Sequence, residues 1–407
     1  MTQSGFEEVK SLAEEFKEEI IAWRRHIHMY PELSGKEYKT AEFIVGRLKE
    51  FGIEEIYPAF GGTTSVVAYI RAENPTDGKA VGLRADIDAL PIEEKNDVPY
   101  KSRVPGVMHA CGHDAHTAML LGAAKILNRL RHKLPRDVKL IFQSCEEYPP
   151  CSGARALVEA GVCDDLGVIF GMHVYPEIPS GTVGVKEGAM MAAADFFKVE
   201  LIGKSAHASK PHLGIDPILM AAQAINSIHH IVSRKVDPLH PAVVTIGKIE
   251  GGYAPNQIPD EVKMEGTVRT FNEAVRDKIA DWMERALKGI AEVYGGEYRF
   301  EYIHGYPPVI NDKNATRYVR EVVKKLLGED RLIELTEPSM GGEDFAYYLK
   351  KVPGSYIRLG TRNEEKGLVY PLHSAHFDVD EDILPIGSAL FASLALGYGK
   401  TPEGGNF

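Results

Sequence analysis

The chain has 407 residues, with 47 basic and 58 acidic side chains and a formal net charge of −11. Hydrophobic residues make up 44% and charged residues 26%, a balance typical of globular proteins that bury a full core. The acidic balance argues against binding to nucleic acid or to anionic lipid, since both need a basic face. No apolar stretch approaches the roughly 18 residues of a membrane-spanning helix.

The N-terminal segment has two glutamates and no apolar core, so it is not typical of a secretory signal. Four cysteines in a chain of this length do not make a disulfide framework: Cys111, Cys145, Cys151 and Cys163. We therefore predict a cytoplasmic protein, and we expect Cys145 and Cys151 to stay reduced. A thiol close to histidine or glutamate then becomes a candidate metal ligand.

The first part of the chain alternates predicted helices and strands. Apolar residues at spacings of three and four predict one helix from Val9 to Ile27, ended by Pro31. The following predicted elements are helix Thr40–Phe51, strands Ser65–Ile70 and Lys79–Arg84, a helix after Asp114, strand Val138–Gln143, helix Ala154–Ala160 and strand Val168–Met172. This alternation predicts an α/β domain with a mostly parallel central sheet flanked by helices.

The middle of the chain has a different order of elements. They are strand Asp195–Ile202, helix Asp216–Val232, strands Ala242–Lys248 and Val262–Thr270, helix Glu273–Tyr294 and strand Tyr298–Ile303. This βαββαβ order is typical of the ferredoxin-like α+β fold. After Pro308 the pattern returns to α/β. We therefore predict one α/β domain from residues 1–190 and 305–407, interrupted by an inserted α+β domain at residues 191–304.

A partial metal site precedes the helix that follows Asp114. Cys111 and His113 flank Gly112, and a thiolate and an imidazole two residues apart are suitable metal ligands. Taken alone, this segment is explained equally well by a buried cysteine and unrelated histidines. The case for a metal depends on whether other ligands converge on it.

Other candidate ligands follow predicted strands. They are Asp86 and Asp88, Glu146 and Glu147, and His173, and His373 lies near the C-terminus. The carboxylates could belong to ordinary turns and His173 could be a capping or core residue, but these residues and the Cys111/His113 loop fall at the carboxyl-terminal side of predicted strands, where the ligand crevice of an open α/β sheet lies. Mixed sulfur, nitrogen and oxygen donors suit Zn²⁺, Mn²⁺, Co²⁺ or Ni²⁺. Because the candidates exceed the four ligands of one tetrahedral ion, we predict two divalent metal ions.

The chain resembles the co-catalytic di-metal aminoacylase/carboxypeptidase family of metallopeptidases from about Trp23 to Tyr398. The resemblance is to its amidohydrolase branch, which includes hippurate hydrolases, indoleacetyl-amino-acid hydrolases and thermostable carboxypeptidases. The motifs that carry it, in this order, are RRHIHMYPELSGKE (24–37), LRADIDALPI (83–92), MHACGHDAHTAMLLGAA (108–124), FQSCEE (142–147), GMHVYPEIPSG (171–181), GKSAHAS (203–209), NQIPD (256–260), GTVRTF (266–271) and GGEDFAYY (341–348).

The resemblance implies a role for each site residue. The implied metal ligands are Cys111, His113, Glu147, His173 and His373. Glu146 would be the general base, and Asp88 a carboxylate that orients a ligand, whereas Asp86 stands where related branches have a ligand histidine. The inserted domain would serve as a lid and dimerisation domain. Its implied site residues are His207, a donor to the oxyanion, and Asn256 and Arg269, which would hold the substrate.

One departure from the family pattern follows the two glutamates. Relatives usually have a Gly-rich stretch there, whereas this chain has Tyr148-Pro149-Pro150, which stiffens the loop. Gln257 and Gly342 also replace the more usual residues beside Asn256 and Glu343. None of these changes replaces an implied metal ligand. They affect the expected substrate preference more than the expected chemistry.

Amide hydrolysis needs an activated water, stabilisation of the oxyanion and a proton for the leaving nitrogen, and the implied residues supply all three. We predict a metal-dependent amidohydrolase that cleaves the amide bond of N-acyl amino acids and forms a homodimer or higher homo-oligomer. One alternative is a broad-specificity metallocarboxypeptidase or dipeptidase. Another is a non-catalytic binding protein on the same fold, against which the second carboxylate, Glu146, argues.

Overall fold

The computed structural model describes residues 1–76 and 78–399. The chain divides into two compact units. Unit 1 contains Met1–Met190, Ile310–Glu337 and the chain from Asp344 onward, and unit 2 contains Met191–Val309 and Pro338–Glu343. None of the described helices is long and apolar enough to cross a bilayer.

The helices are α1 Gln3–Glu15, α2 Lys17–Met29, α3 Tyr38–Glu50, α4 His113–Arg129, α5 Gly153–Glu159, α6 Pro217–Arg234, α7 Glu273–Tyr294, α8 Lys313–Leu326, α9 Ala346–Leu349 and α10 Ile383–Gly397. The strands are β1 Ile56–Pro58, β2 Val66–Ile70, β3 Ala80–Asp86, β4 Val138–Gln143, β5 Leu166–Pro179, β6 Val183–Val185, β7 Gly188–Met191, β8 Ala193–Ile202, β9 Ala206–His207, β10 Ala242–Gly251, β11 Gln257–Ile258, β12 Glu261–Thr270, β13 Glu297–Tyr306, β14 Val309–Asn311, β15 Leu332–Glu334 and β16 Gly354–Arg362.

Unit 1 is built on one large sheet with the strand order β1-β2-β4-β3-β5-β16-β6-β15. Its central strands β4, β3, β5 and β16 run parallel, and β1 and β2 form an antiparallel edge. Strands β3 and β4 are buried along their whole length. Burial on both faces is the reason that such strands are recognisable as continuous apolar runs. The predicted α/β class with a mostly parallel central sheet is confirmed.

The N-terminal helical segment differs from the prediction. Two helices, α1 and α2, replace the single predicted one, and the break lies at Phe16. The side chain of Phe16 is buried in the same core as its neighbours on both helices. The apolar period therefore continues across the break, so the sequence pattern does not reveal it.

Strand β5 is longer than predicted. Strand β16 pairs with it in parallel from Ile169 to Tyr175, so the hydrogen-bonded ladder continues well past the predicted end at Met172. The prediction that His173 directly follows a strand end is therefore wrong. His173 lies inside β5, opposite Arg358 of β16.

Unit 2 has the predicted βαββαβ order, formed by β8, α6, β10, β12, α7 and β13. Its antiparallel sheet has the order β10-β12-β8-β13, and α6 and α7 pack on it through an apolar core. One ion pair is buried in this unit. The carboxylate of Asp195 accepts hydrogen bonds from Arg276, from the Tyr302 hydroxyl at 2.9 Å and from the backbone N–H of Gly305 at 2.9 Å.

A second buried polar network lies at the start of α4 in unit 1. Asp114 in the first turn accepts from Arg24 Nε at 2.7 Å and contacts His28 Nδ1 at 2.7 Å. His28 Nε2 lies 3.2 Å from the Glu94 carboxylate. Burial and Arg24 lower the pKa of His28, but Asp114 and Glu94 outweigh them and raise this pKa to about 8. The network ties α2 to the beginning of α4.

Candidate metal centre and active site

Five separate stretches of unit 1 supply the candidate site residues. They are the end of β3 (Asp86 and Asp88), the start of α4 (Cys111 before it and His113 as its first residue), the loop after β4 (Glu146 and Glu147), the middle of β5 (His173) and the loop after β16 (His373). Because β3, β4 and β5 are neighbouring parallel strands, their carboxyl-terminal ends share one edge of the sheet.

The turn before α4 depends on Gly112. Its φ of 85° is left-handed, and a Cβ placed there would lie 2.3 Å from Cγ2 of Val174 on β5. Only glycine combines this backbone conformation with so close an approach. As a result, Cys111 and His113 are both brought against β5.

Two groups of possible donors overlap at the thiol. The Cys111 sulfur and the ring nitrogens of His113 and His173 lie within 4.8 Å of one another. The same sulfur forms a second such group with a Glu147 oxygen and a His373 nitrogen. The structure thus brings all five predicted metal ligands together, and their assignment as ligands stays a prediction.

The loop that carries His373 is fixed to the turn that carries the thiol. The backbone N–H of His373 donates to the carbonyl of Ala110 at 2.8 Å. Its ring Nε2 lies 3.3 Å from Glu147 Oε1. His373 has a left-handed φ of 65°, unusual for a residue other than glycine, and such conformations cluster at functional sites.

Hydrogen bonds assign the tautomers of two buried imidazoles. His173 Nδ1 lies 2.6 Å from the carbonyl oxygen of Val174, which can only accept, so this nitrogen carries the proton. His113 Nδ1 lies 3.1 Å from a carboxylate oxygen of Asp88 and donates to it. When the rings are neutral, Nε2 of each is the nitrogen left to bind a metal, and His173 Nε2 lies 3.4 Å from the Cys111 sulfur.

The donor set fits divalent cations. His113 Nε2 is buried and makes no hydrogen bond, and the buried Glu147 Oε1 has His373 Nε2 3.3 Å away. Burial and the nearby Glu147 and Glu146 carboxylates raise the pKa of the Cys111 thiol well above its usual value. A buried cluster with an unpartnered imidazole nitrogen beside a thiol and several carboxylates is suited to cations that accept thiolate and imidazole.

The carboxylate of Asp86 is committed to protein partners. It accepts from Arg84 Nη1 at 2.7 Å and contacts His116 Nδ1 at 2.5 Å. Burial opposes its ionisation, but His113, His116 and Arg84 hold the pKa of Asp86 well below its usual value. The Asp86 carboxylate therefore links Arg84 on β3 to His116 on α4.

His116 was not assigned a role from the sequence. Its Nε2 accepts the backbone N–H of Val174 at 2.9 Å, while its Nδ1 contacts Asp86. Both ring nitrogens are thus engaged within the protein, and His116 ties α4 to β5 beside His173. The only sequence signal was its position three residues after His113, on the same helix face.

Asp88 links three parts of the site. Besides His113, its carboxylate accepts from the Ser34 hydroxyl at 2.6 Å and from the backbone N–H of Glu147 at 2.9 Å. Asp88 therefore orients an imidazole and the loop of the two glutamates together. Glu146, the predicted base, is buried, and one of its carboxylate oxygens lies within 4.8 Å of donor atoms of His113 and Glu147.

The three predicted site residues of the inserted segment lie in unit 2. His207 on β9 pairs with Gln257 on β11, next to Asn256. The Nδ1 of His207 accepts the backbone N–H of Ser209 at 3.1 Å, which leaves its Nε2 to carry the proton in the neutral ring. Arg269 lies on β12, and burial lowers its pKa. Their roles toward a substrate stay predictions.

The expectation that Cys145 and Cys151 stay reduced is wrong for this structure, in which they form a disulfide. The loop after β4 turns back on itself, so that the Cα atoms of the two cysteines lie 6.1 Å apart, within the range that a disulfide spans. Cys111 and Cys163 are free and buried. The bond encloses both glutamates of the site.

Comparison with known proteins supports a family assignment. A profile for peptidase family M20/M25/M40 matches residues 82–397. Thermostable carboxypeptidase 1 of Saccharolobus solfataricus is 42% identical over 393 residues, which cover 96% of this chain and 98% of that protein. An N-acyl-L-amino acid amidohydrolase of Geobacillus stearothermophilus is 47% identical over 305 residues, 75% of this chain and 81% of that protein.

A solved structure shares the fold over nearly the whole length. The Bacillus subtilis YXEP protein, described as a dinuclear metal binding peptidase from the M20 family, superposes with a TM-score of 0.82 at 39% sequence identity. The superposition covers 94% of this chain and 98% of that chain.

Proposed function

The chain belongs to peptidase family M20/M25/M40, and from this premise we propose that it hydrolyses the amide bond of N-acyl amino acids with the help of two divalent metal ions. It is a metal-dependent hydrolase of amide or peptide bonds. The observation that carries the proposal is the cluster of Cys111, His113, Glu147, His173 and His373 donors with Glu146 beside it.

Two ions are favoured by the shared thiol. The group of Cys111, His113 and His173 would hold one ion, and the group of Cys111, Glu147 and His373 would hold the other. Such ions supply a water of lowered pKa and polarise the substrate carbonyl. Zn²⁺, Mn²⁺, Co²⁺ and Ni²⁺ all suit this mixture of donors.

Glu146 is the proposed proton carrier. Its neighbour Glu147 forms one donor group with Cys111 and His373, and the Glu146 carboxylate is buried beside His113 and Glu147, within reach of a water held there. It would take a proton from the attacking water and deliver it to the nitrogen of the leaving amino acid. Through its hydrogen bonds to the His113 ring and to the Glu147 backbone, Asp88 would hold these two residues in place during this transfer.

Further parts of the proposal concern unit 2 and the whole protein. His207 would donate its Nε2 proton to the oxyanion, a contact whose removal typically costs about 2.7–4 kcal/mol in the transition state. Asn256 and Arg269 would hold the substrate carboxylate or carbonyl. Unit 2 would act as a lid and dimerisation domain in a homodimer or higher homo-oligomer. We also propose a cytoplasmic location, where disulfides are rare and are usually catalytic or redox-sensing.

The alternative function is that of a broad-specificity carboxypeptidase or dipeptidase. It is favoured by the carboxypeptidase from Saccharolobus solfataricus, which matches almost the full length of this chain. Both functions need the same metal centre and differ in the group on the substrate nitrogen.

One experiment tests the proposal and its alternative. The protein is stripped with a chelator and reloaded separately with Mn²⁺, Zn²⁺, Co²⁺ or Ni²⁺. Each form is assayed on N-acetyl and N-benzoyl amino acids, on carbobenzoxy-blocked amino acids and on free dipeptides. We expect metal-dependent turnover that is fastest on the N-acyl amino acids. Faster turnover of dipeptides or longer peptides would establish the alternative, and metal-independent turnover would contradict both.

A further inference from the structure

The disulfide between Cys145 and Cys151 closes the short loop that contains both Glu146 and Glu147. We propose that this bond is a positioning cross-link for the two glutamates, so that thiol reductants lower metal affinity and turnover. The inference rests on the proposed function of Glu146 and Glu147. It extends that function to a redox dependence of the site.

Hydrogen bonds to the rest of unit 1 anchor the loop on both sides of Tyr148, Pro149 and Pro150. At its start the backbone N–H of Cys145 donates to the buried Glu37 carboxylate at 2.8 Å, and Glu147 N–H donates to Asp88. At its end the Ser152 hydroxyl donates to Asp344 at 2.9 Å. The disulfide joins the two anchored ends directly.

The hydrogen bonds of the residues between Glu147 and Cys151 stay within the loop, where the Tyr148 carbonyl accepts from the backbone N–H groups of Cys151 at 2.9 Å and Ser152 at 3.3 Å. Pro149 and Pro150 carry no backbone N–H and cannot donate hydrogen bonds. The side chain of Tyr148 is exposed. The covalent bond from Cys145 to Cys151 therefore adds to the backbone hydrogen bond that joins the two ends, from the N–H of Gly153 to the carbonyl of Cys145 at 3.1 Å.

Cys145 also has a backbone conformation that its surroundings must maintain. Its φ is 54°, in the left-handed region that residues other than glycine seldom adopt. The peptide that follows Cys145 sets the direction of Glu146. Once the bond is broken, Cys145 can relax toward an ordinary φ, and that rotation would move the Glu146 carboxylate away from its neighbours.

The bond is open to attack from solvent on one side. Cys145 is buried, whereas Cys151 is exposed. A thiolate of a small dithiol would attack Cys151 Sγ and break the S–S bond, and Cys145 would leave as a thiolate. The second thiol of the reductant then resolves the mixed disulfide. In sum the reductant gives two electrons and two protons, and the protein gains two thiols.

Three proteins test the inference: wild type, Cys151→Ser and the control Cys163→Ser. Because dithiols bind metals, a phosphine is the reductant; it is oxidised to the phosphine oxide with water as the oxygen source. Thiols are counted after denaturation, metal affinity is measured by competition with a chelator, and kcat and KM are measured on N-acetyl amino acids.

Untreated wild type should show two thiols, Cys111 and Cys163, and phosphine should raise the count to four. Reduction should weaken metal binding by about tenfold or more, which is the usual effect of losing support around metal ligands. It should lower kcat by about tenfold to a hundredfold with a smaller change in KM. Cys151→Ser should have the metal affinity and kcat of reduced wild type, and phosphine should not change them. Cys163→Ser should respond to phosphine as wild type does.

Two results would overturn the inference. One is a count of four thiols in air-oxidised wild type, since no cross-link would then exist. The other is equal metal affinity and kcat before and after reduction. If neither redox form hydrolyses any substrate, the proposed function fails, and the difference in metal affinity still decides the positioning role.

Discussion

Replacing Gly112 with alanine tests the link between the fold and the metal centre. The left-handed φ of 85° costs a residue with a Cβ about 1–2 kcal/mol. The added Cβ would also lie 2.3 Å from Val174 Cγ2, and such overpacking typically costs about 1–3 kcal/mol. We therefore expect Gly112→Ala to lower the free energy of unfolding of the metal-free protein by about 2–5 kcal/mol.

A matched control separates the two costs. Gly106 has a similar φ of 73°, but a Cβ there would meet no atom within 4 Å. Gly106→Ala should therefore cost only the backbone part, about 1–2 kcal/mol. The additional loss in Gly112→Ala should shrink when Val174 is also replaced by alanine, because the clashing methyl group is removed.

The assay is denaturant unfolding of the metal-free variants together with chelator competition for metal. Gly112→Ala should weaken metal binding, because relieving the clash moves Cys111 and His113 away from His173. Gly106→Ala should bind metal as wild type does. If the two variants were equally stable and bound metal equally well, the reasoning about this turn would be refuted.

Three further predictions concern separate parts of the protein. Glu146→Gln should keep both metal ions but lose about 10²–10⁴-fold in kcat, measured with N-acetyl amino acids, because the proton carrier is removed. Arg276→Met should destabilise the protein by about 3–5 kcal/mol in denaturant unfolding, because it leaves the buried Asp195 carboxylate unpaired. Because the pKa of His28 is raised by its contact with Asp114, its stabilising effect is complete below pH 6.5 and is lost as the pH rises through about 8. Wild type should therefore lose about 2 kcal/mol more than His28→Gln between pH values well below 6.5 and well above 8, as measured by denaturant unfolding at each pH.

Each of these three predictions has its own control or contradicting result. A Glu146→Gln enzyme that turned over at the wild-type rate would remove this residue from the mechanism. Arg299→Met is the control for Arg276, since Arg299 pairs with Glu200 at the surface and should cost about 0–1 kcal/mol. Equal losses from these two arginine variants would contradict the buried pair. Parallel pH profiles for wild type and His28→Gln would contradict the raised pKa of His28.

Much of the fold could be predicted because its central strands are buried on both faces. Strand β4 is found at the predicted residues, and α7 also has the predicted bounds. The convergence of the candidate ligands followed from one rule, the shared edge of parallel strands. The position of His173 did not follow, since the length of β5 depends on pairing with β16 nearly two hundred residues later.

Other features depend on distances that a sequence does not contain. The disulfide between Cys145 and Cys151 needs a turn that brings their Cα atoms to 6.1 Å. The number of cysteines in a chain of this length favoured free thiols instead. The role of His116 required Val174 and Asp86 to lie on opposite sides of its ring. Both features became visible only once the neighbouring strands were placed.

The most direct test of the central claim is anomalous diffraction from crystals of the protein loaded with Mn²⁺ or Zn²⁺. Two anomalous peaks should appear, one beside Cys111, His113 and His173 and the other beside Cys111, Glu147 and His373. A map with no peak among these side chains, or with metal bound only elsewhere, would contradict the account.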